Sequence, residues 1–240
     1  MKIIKVKDYE ELSKMAADFV RNLLEKKPDA CLGLATGSTP LGMYQNLIEM
    51  YQKGEVSFKD VRTYNLDEYC GLEKTHPQSY FTYMHEMFFN HIDISENNIN
   101  LPEGDTANHE EACNSYNELL YNDEIDLQIL GIGGNGHIGF NEPGTAFTQE
   151  TFVVKLAEKT RLDNQRFFNS LAEVPEFAIT MGIKNILQAK EILLLASGKG
   201  KAEAIKKLVS GEVSVDFPAS ALKEHANVTV IIDEEAASLL

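Results

Sequence analysis

Short, continuous apolar segments alternate along this chain with longer segments of helical periodicity. Residues 30–35 and 191–196 are of the first kind. Residues 9–26 are of the second kind, because their apolar side chains recur every three or four positions. Continuous apolar strands that alternate with helices are typical of a parallel sheet covered on both faces. We therefore predict an α/β fold: a single doubly wound, mostly parallel, Rossmann-like sheet with helices on both faces.

The same patterns extend over the whole chain. They predict strands over residues 30–35, 61–66, 125–130, 152–156, 177–180, 191–196 and 228–232, and helices over residues 9–26, 40–53, 79–90, 107–121, 160–169, 183–188 and 201–209. No linker rich in Pro, Gly or Ser divides them, so we expect one domain over residues 1–240. In such folds ligands bind beyond the carboxyl ends of the strands, so a site is expected in the loops that follow strands.

The chain is acidic, with a formal net charge of −15 over 240 residues. Binding to nucleic acid or to an anionic membrane requires a basic surface, so we expect neither as a partner. The three cysteines are far apart and odd in number, which favours reduced thiols over a disulfide framework or a zinc site. No apolar segment approaches the roughly 20 residues of a membrane helix, and the first residues lack the apolar core of a signal peptide. We expect a cytoplasmic protein without a bound metal.

Residues 131–144, the glycine-rich segment, contain six glycines together with His137 and Glu142. Glycine in such numbers after an apolar strand indicates close approach of the backbone to a ligand. An imidazole and a carboxylate five residues apart could transfer protons. The segment also holds a GxGxxG pattern, but Gly139 and Pro143 interrupt the helix that a dinucleotide site needs. We therefore expect no nucleotide cofactor.

A second candidate loop runs from Ala35 to Pro40, between a predicted strand and a predicted helix. Ser38 or Thr39 is suited to the N-cap, and Pro40 to the first helical position. Free amide groups, hydroxyl groups and the positive end of a helix dipole together predict a phosphate site. The alternative is a well-capped helix with no ligand.

Asp67 and Glu68 stand at the end of the strand predicted over residues 61–66. If the strand continues, the two side chains point in opposite directions, so one could be a general base and the other structural. Solvated loop acids are the alternative.

Basic residues in this acidic chain are the third set of candidates. Arg161 and Arg166 are five residues apart on a predicted helix, so only one is expected to reach a site. Lys201 is predicted to begin a helix, where a cation is unfavourable unless an anion compensates it. A bound phosphate would supply that anion.

Five segments, in this order along the chain, carry a family resemblance: residues 34–40, 64–69, 136–143, 166–168 and 197–202. Together they resemble the glucosamine-6-phosphate deaminases of the glucosamine/galactosamine-6-phosphate isomerase family. The similarity extends over essentially the whole chain. It implies a hydrolase of amino-sugar metabolism that isomerises and deaminates glucosamine 6-phosphate to fructose 6-phosphate and ammonia, without a cofactor.

The resemblance also implies roles for individual residues. His137 would open the sugar ring, oriented by Asn135 and Glu142, and Asp67 would move a proton between C2 and C1. The residues implied in binding the substrate and its phosphate are Thr36, Gly37, Ser38, Thr39, Gly133, Arg166 and Lys201.

Two departures from longer relatives affect these expectations. Many of them have Asp where this chain has Asn135, and an amide cannot stabilise an imidazolium by charge. We expect activity with a different pH profile. The longer relatives also carry an additional C-terminal segment, so we favour a monomer without allosteric activation, although a homo-oligomer is possible. The alternative functions are a 6-phosphogluconolactonase-like hydrolase and a sugar-phosphate sensor without catalysis.

Overall fold

The structure is a computed structural model that describes residues 1–158, 161, 162, 165 and 168–240. The strands are β1 (Lys2–Val6), β2 (Cys31–Leu34), β3 (Arg62–Asn65), β4 (Asp67–Tyr69), β5 (Ile99–Asn100), β6 (Leu127–Leu130), β7 (Phe152–Lys155), β8 (Phe177–Thr180), β9 (Glu191–Ala196) and β10 (Val228–Asp233). The helices are α1 (Tyr9–Lys26), α2 (Ser38–Gln52), α3 (Tyr80–Met87), α4 (His109–Asn122), α5 (Ile183–Ile186) and α6 (Ala202–Ser210). The helix predicted over residues 160–169 lies largely outside the described residues.

Seven strands form the parallel sheet, in the order β1-β10-β9-β6-β2-β3-β5. The prediction of a doubly wound, mostly parallel sheet is confirmed. From β2 the chain builds outward through β3 and β5, and then returns to β6 on the other side of β2. The order therefore reverses between β2 and β6. Ligands of doubly wound sheets bind in the crevice at this switch point.

Helices cover both faces of the sheet. One core packs α1 and α2 against the sheet, and the other packs α4 and α6 against the opposite face. Helix α1 shows how the sequence produces this arrangement. Asp8 caps its first turn by accepting a hydrogen bond from the Glu11 amide. The helix buries Leu12, Ala16 and Val20, which lie four residues apart on one face. Among the described helices, none is long and apolar enough to cross a membrane.

A second, antiparallel sheet of order β4-β8-β7 was not predicted. Strand β4 consists only of Asp67, Glu68 and Tyr69, so it has no apolar run that would identify it. It follows β3 after one residue and pairs with β8, where Asp67 lies opposite Thr180. The edge strands β1 and β5 were also missed. The small sheet matters because it carries Asp67 to the edge of the large one.

Candidate active site

Segments that follow β2, β3, β6 and β9 meet at the carboxyl edge of the parallel sheet, at the switch point. They enclose a cleft of about 300 Å³. Of the residues implicated by sequence, the following line it: Thr36, Gly37, Ser38, Thr39, Asp67, Gly133, His137 and Lys201. Asn135 and Glu142 lie beside it, in contact with His137. Arg166 lies outside the described residues.

The loop after β2 differs from its predicted form. Gly37, at φ +94°, is the N-cap of α2, and Ser38 and Thr39 already belong to the helix. The prediction of a Ser38 or Thr39 N-cap was wrong, because a glycine with positive φ makes the turn one residue earlier. Gly37 provides no side-chain oxygen, and the first turn has no side-chain cap. The positive end of the helix dipole thus faces the cleft, as an anion site requires.

Two tyrosines hold this loop in place. The Tyr9 hydroxyl on α1 donates to the Ser38 carbonyl at 2.8 Å and accepts from the Gly42 amide at 2.8 Å. The Tyr83 hydroxyl on α3 donates to the Gly37 carbonyl at 2.7 Å. The hydroxyls bind the carbonyls of Gly37 and Ser38 and the amide of Gly42, which lies beyond the first helical turn, so they fix the loop without occupying the amide donors at the start of α2.

Asp67 is 6% exposed at the wall of the cleft. Burial, and to a lesser extent the charge of Glu68, raises the pKa of its carboxyl to about 8. The opposite wall is close: a Cβ on Gly139 would lie 3.5 Å from Asp67 Oδ2. Gly139 has φ +55°, and the adjacent Phe140 amide donates to Thr180 Oγ1 at 3.1 Å. The small sheet thus joins Asp67 and the glycine-rich segment.

Glu68 points away from the cleft, as expected if the strand continues. Its carboxylate accepts hydrogen bonds from three backbone amides, those of Tyr69 (2.8 Å), Tyr80 (2.9 Å) and Phe81 (2.9 Å). Burial raises the pKa of this carboxyl, against the opposite effect of the three amides. Asp67 and Glu68 therefore have different surroundings, and the interpretation of both as solvated loop acids is wrong.

Tight packing shapes the glycine-rich segment. A Cβ on Gly133 would lie 2.3 Å from His137 Cε1, so the imidazole rests directly on the Gly133 backbone. Gly136 has φ +88°, and a Cβ there would lie 2.2 Å from the Phe217 ring. The Ala219 amide donates to the Gly136 carbonyl at 2.8 Å. Side chains at positions 133 and 136 would displace the histidine or its support.

Asn135, His137 and Glu142 form one hydrogen-bonded group. Asn135 Nδ2 donates to Glu142 Oε2 at 2.6 Å, and the His137 backbone amide donates to Asn135 Oδ1 at 3.2 Å. His137 Nδ1 lies 3.5 Å from Glu142 Oε1. This separation is longer than a normal hydrogen bond. Asn135 therefore orients Glu142 and the histidine backbone, and Glu142 faces the ring.

Lys201 ends a short 3₁₀ turn at the N-cap of α6. Its Nζ donates to the Ile132 carbonyl at 2.7 Å, which ties the loop after β9 to the glycine-rich segment. Arg161, the other arginine considered from the sequence, donates to the carbonyls of Leu171 and Val174 and is not among the residues that line the cleft.

Tyr80, Leu66 and Phe140 also line the cleft and were not predicted. Tyr80 follows the N-cap Ser79, so its helical position is readable from sequence, but its place in the cleft depends on how α3 packs. Within the described ranges, no group of three or more His, Cys, Asp or Glu side chains could hold a metal ion.

The switch point thus holds a buried carboxyl, a histidine–carboxylate pair and a helix N-terminus without a side-chain cap. These features define a class, the α/β proteins with an acid–base site for a small anion. A family model described as glucosamine-6-phosphate isomerases/6-phosphogluconolactonase matches residues 7–231. The chain belongs to this family.

Individual relatives are more specific. The chain is 55% identical to a glucosamine-6-phosphate deaminase of Thermoanaerobacter pseudethanolicus, over 100% of this chain and 95% of that protein. A solved structure of a monomeric glucosamine-6-phosphate deaminase matches with a TM-score of 0.97 and 52% identity, covering 100% of both chains. A 6-phosphogluconolactonase from Trypanosoma brucei matches at a TM-score of 0.80 with 18% identity, over 100% of this chain and 98% of that one. That last likeness shows the fold alone.

Proposed function

We propose that this protein is a glucosamine-6-phosphate deaminase, which converts glucosamine 6-phosphate and water to fructose 6-phosphate and ammonia. The observation that carries the proposal is the placement of Asp67: a buried carboxyl with a pKa raised to about 8, facing the same cleft as His137. Relatives with this activity, at 52–55% identity over the full chain, support it.

Ring opening is the first step. His137 takes the proton of the C1 hydroxyl and returns a proton to the ring oxygen, which breaks the C1–O5 bond and leaves an aldehyde. Glu142, 3.5 Å from the imidazole, stabilises its protonated form, and Asn135 holds Glu142 in place. The close contact of Gly133 with the ring keeps the imidazole in one orientation.

Isomerisation and hydrolysis follow in the open-chain sugar. Asp67, as the carboxylate, takes the C2 proton while O1 gains a proton, which forms an enolamine. Asp67 then returns its proton to C1 while the nitrogen loses one, which leaves an imine at C2. Water adds to the imine carbon, the C–N bond breaks, and ammonia and the ketose remain. Only proton transfers and water are needed, so the chemistry requires no cofactor.

Phosphate binding fixes the distance between the reacting carbons and Asp67. The start of α2, with Gly37, Ser38 and Thr39, offers amide and hydroxyl donors, and Thr36 and Lys201 line the same cleft. Binding energy from the phosphate can then orient the C1–C2 bond. Arg166 is proposed as a further phosphate ligand on the family resemblance alone.

Ammonia release from glucosamine 6-phosphate tests the proposal. We expect stoichiometric ammonia and fructose 6-phosphate, with no turnover of glucosamine lacking the phosphate. Hydrolysis of 6-phosphogluconolactone without ammonia release would establish the rival activity. Binding of glucosamine 6-phosphate without turnover would establish a sensor.

Monomeric state and cytoplasmic location are also part of the proposal. The solved relative of TM-score 0.97 is described as monomeric. The free cysteines Cys31, Cys70 and Cys113 are consistent with a reducing compartment.

A further inference from the structure

Glu68 joins the strand that carries the proposed base to α3, a helix that also borders the cleft. Its carboxylate is 4% exposed and binds the amides of Tyr80 and Phe81, at the first turn of α3. It also accepts from the Tyr69 amide on its own strand. Charge-assisted hydrogen bonds of this kind are stronger than neutral ones and fix the geometry of both partners.

Helix α3 contributes two side chains to the cleft region. Tyr80 lines the cleft, and the Tyr83 hydroxyl holds the Gly37 carbonyl in the proposed phosphate loop. The rings of Tyr69 and Tyr80 lie 4.8 Å apart, which places Tyr80 against β4. A displacement of the helix start would therefore move both the wall of the cleft and the phosphate loop relative to Asp67.

We infer that Glu68 is a positioning residue for the proposed reaction, which holds α3 and the phosphate loop at a set distance from the base Asp67. The inference rests on the proposed function, because it takes Asp67 as the base. Glu68 does not touch the cleft itself, and its effects pass through Asp67, Tyr80 and Tyr83.

The charge of Glu68 has an effect on Asp67 that can be measured separately from the positioning of α3. The negative charge of Glu68 is one of the causes that raise the pKa of Asp67, after burial. The other titratable groups near the two carboxyls are Cys70 and Lys74 in the segment after β4, Asp105 in the loop that borders Glu68, Tyr80 on α3 and Tyr116 on α4. None of these residues is itself substituted in the Glu68 variants.

Two substitutions distinguish position from charge. Glu68→Asp keeps the charge but is too short to reach the amides of α3 in the present geometry. We expect its KM for glucosamine 6-phosphate to rise about tenfold, with the pH dependence of kcat/KM retained. Glu68→Gln keeps the length and one acceptor oxygen but loses the charge. We expect the acidic limb of its profile to move to lower pH, with a smaller rise in KM.

Steady-state kinetics from pH 6 to 9.5, with circular dichroism and thermal melting, measure these effects. Glu73→Gln, at an exposed position in the next loop, is the matched control and should behave as wild type. A general loss of structure would lower kcat at every pH without moving the limb. Wild-type KM and an unmoved limb in both folded variants would overturn the inference, and so would failure of even Glu68→Gln to fold. Absence of ammonia release by the wild-type protein would instead reject the proposed function.

Discussion

At the scale of single residues, the surroundings of Asp67 decide when its carboxyl can accept a proton. Its pKa is raised to about 8 by burial and by Glu68, so at pH 7 most molecules hold it protonated. In the proposed mechanism the ionised fraction is the active one, and it is a stronger base than an exposed carboxylate. The neighbouring Glu68, equally buried, instead binds three amides and serves the fold.

Replacing the proposed base tests its role directly. We expect Asp67→Asn to lower kcat by about 10²- to 10⁴-fold, the usual contribution of a general base, while binding of the sugar phosphate persists. Exchange of the C2 proton with deuterium from solvent should disappear. Asp29→Asn, at an exposed position far along the chain, is the control. Exchange at a near wild-type rate would exclude Asp67 as the base.

The raised pKa predicts a pH dependence of activity. Because the base must be ionised, kcat/KM should rise with pH and level off above about pH 8. This rise in kcat/KM reports a pKa of the free enzyme, and the residual activity of Asp67→Asn should not show it. A rate profile that is flat from pH 6 to 9 would contradict the raised pKa. Whether Asn135 also changes the profile stays a prediction.

The free energy of unfolding should fall as pH rises, whereas activity should increase. Between pH about 4 and 8 the native protein keeps the Asp67 proton, whereas the unfolded chain has lost it. The native state is therefore destabilised as pH rises through this window, by up to about 1.4 kcal/mol per pH unit. Asp67→Asn lacks this effect, so its melting temperature relative to wild type should rise from pH 5 to 8. An unchanged difference would argue that Asp67 is already ionised in the folded protein.

At the scale of elements, the ends of strands hold the loops that form the site. Asp233, the last residue of β10, accepts hydrogen bonds from the Gly198 amide at 2.9 Å and the Ala236 amide at 2.7 Å. It also accepts from the Ser197 hydroxyl. These bonds fix the glycine turn, at φ +89°, that leads from β9 to Lys201. A buried carboxylate outside the cleft thus determines where the proposed phosphate ligand stands.

Loss of this anchor should weaken phosphate binding more than catalysis. In Asp233→Asn one acceptor oxygen becomes an NH₂ group, so either the Ser197 hydroxyl or the Ala236 amide loses its acceptor, and the Gly198 amide keeps only one of its two. We expect KM for glucosamine 6-phosphate and the inhibition constant of inorganic phosphate to rise about five- to tenfold, with kcat changed less. Asp60→Asn at an exposed site is the control. A fall in kcat at constant KM would show that the loop serves the chemistry rather than the phosphate.

Much of the secondary structure can be predicted from the sequence. The strand predicted over residues 191–196 and the helix over 9–26 agree with β9 and α1 at both ends, since continuous apolar runs and helical periodicity are strong local signals. Strands β4 and β5 lack such a signal because they are short and partly polar. The N-cap of α2 was misplaced because a glycine turn with positive φ competed with two good capping side chains.

At the scale of the whole molecule, the doubly wound sheet brings distant segments to one crevice. The loops after β2 and β6 begin nearly a hundred residues apart and meet at the switch point. The small antiparallel sheet then adds Asp67 from a third segment. The described site residues thus come from separate segments of one chain, which is consistent with the expected monomer.

A size measurement combined with kinetics tests this expectation. We expect light scattering to give the mass of one chain, 26.8 kDa, at assay concentrations. Substrate saturation should be hyperbolic and unaffected by N-acetylglucosamine 6-phosphate. A larger assembly with sigmoidal saturation that this compound relieves would contradict the expectation.

Local patterns in the sequence determined the fold class, because apolar strands and amphipathic helices specify the sheet, and they located the loops that carry the histidine, the carboxyls and the phosphate donors. The family resemblance supplied the proposed roles of these residues. The packed structure alone shows which acid faces the cleft, that Asn135 hydrogen-bonds to Glu142, and that Glu68 and Asp233 hold the loops. These depend on burial and on contacts between segments distant in sequence, which no local pattern encodes. Burial is also what raises the pKa of Asp67, and it exists only once the two sheets are packed together.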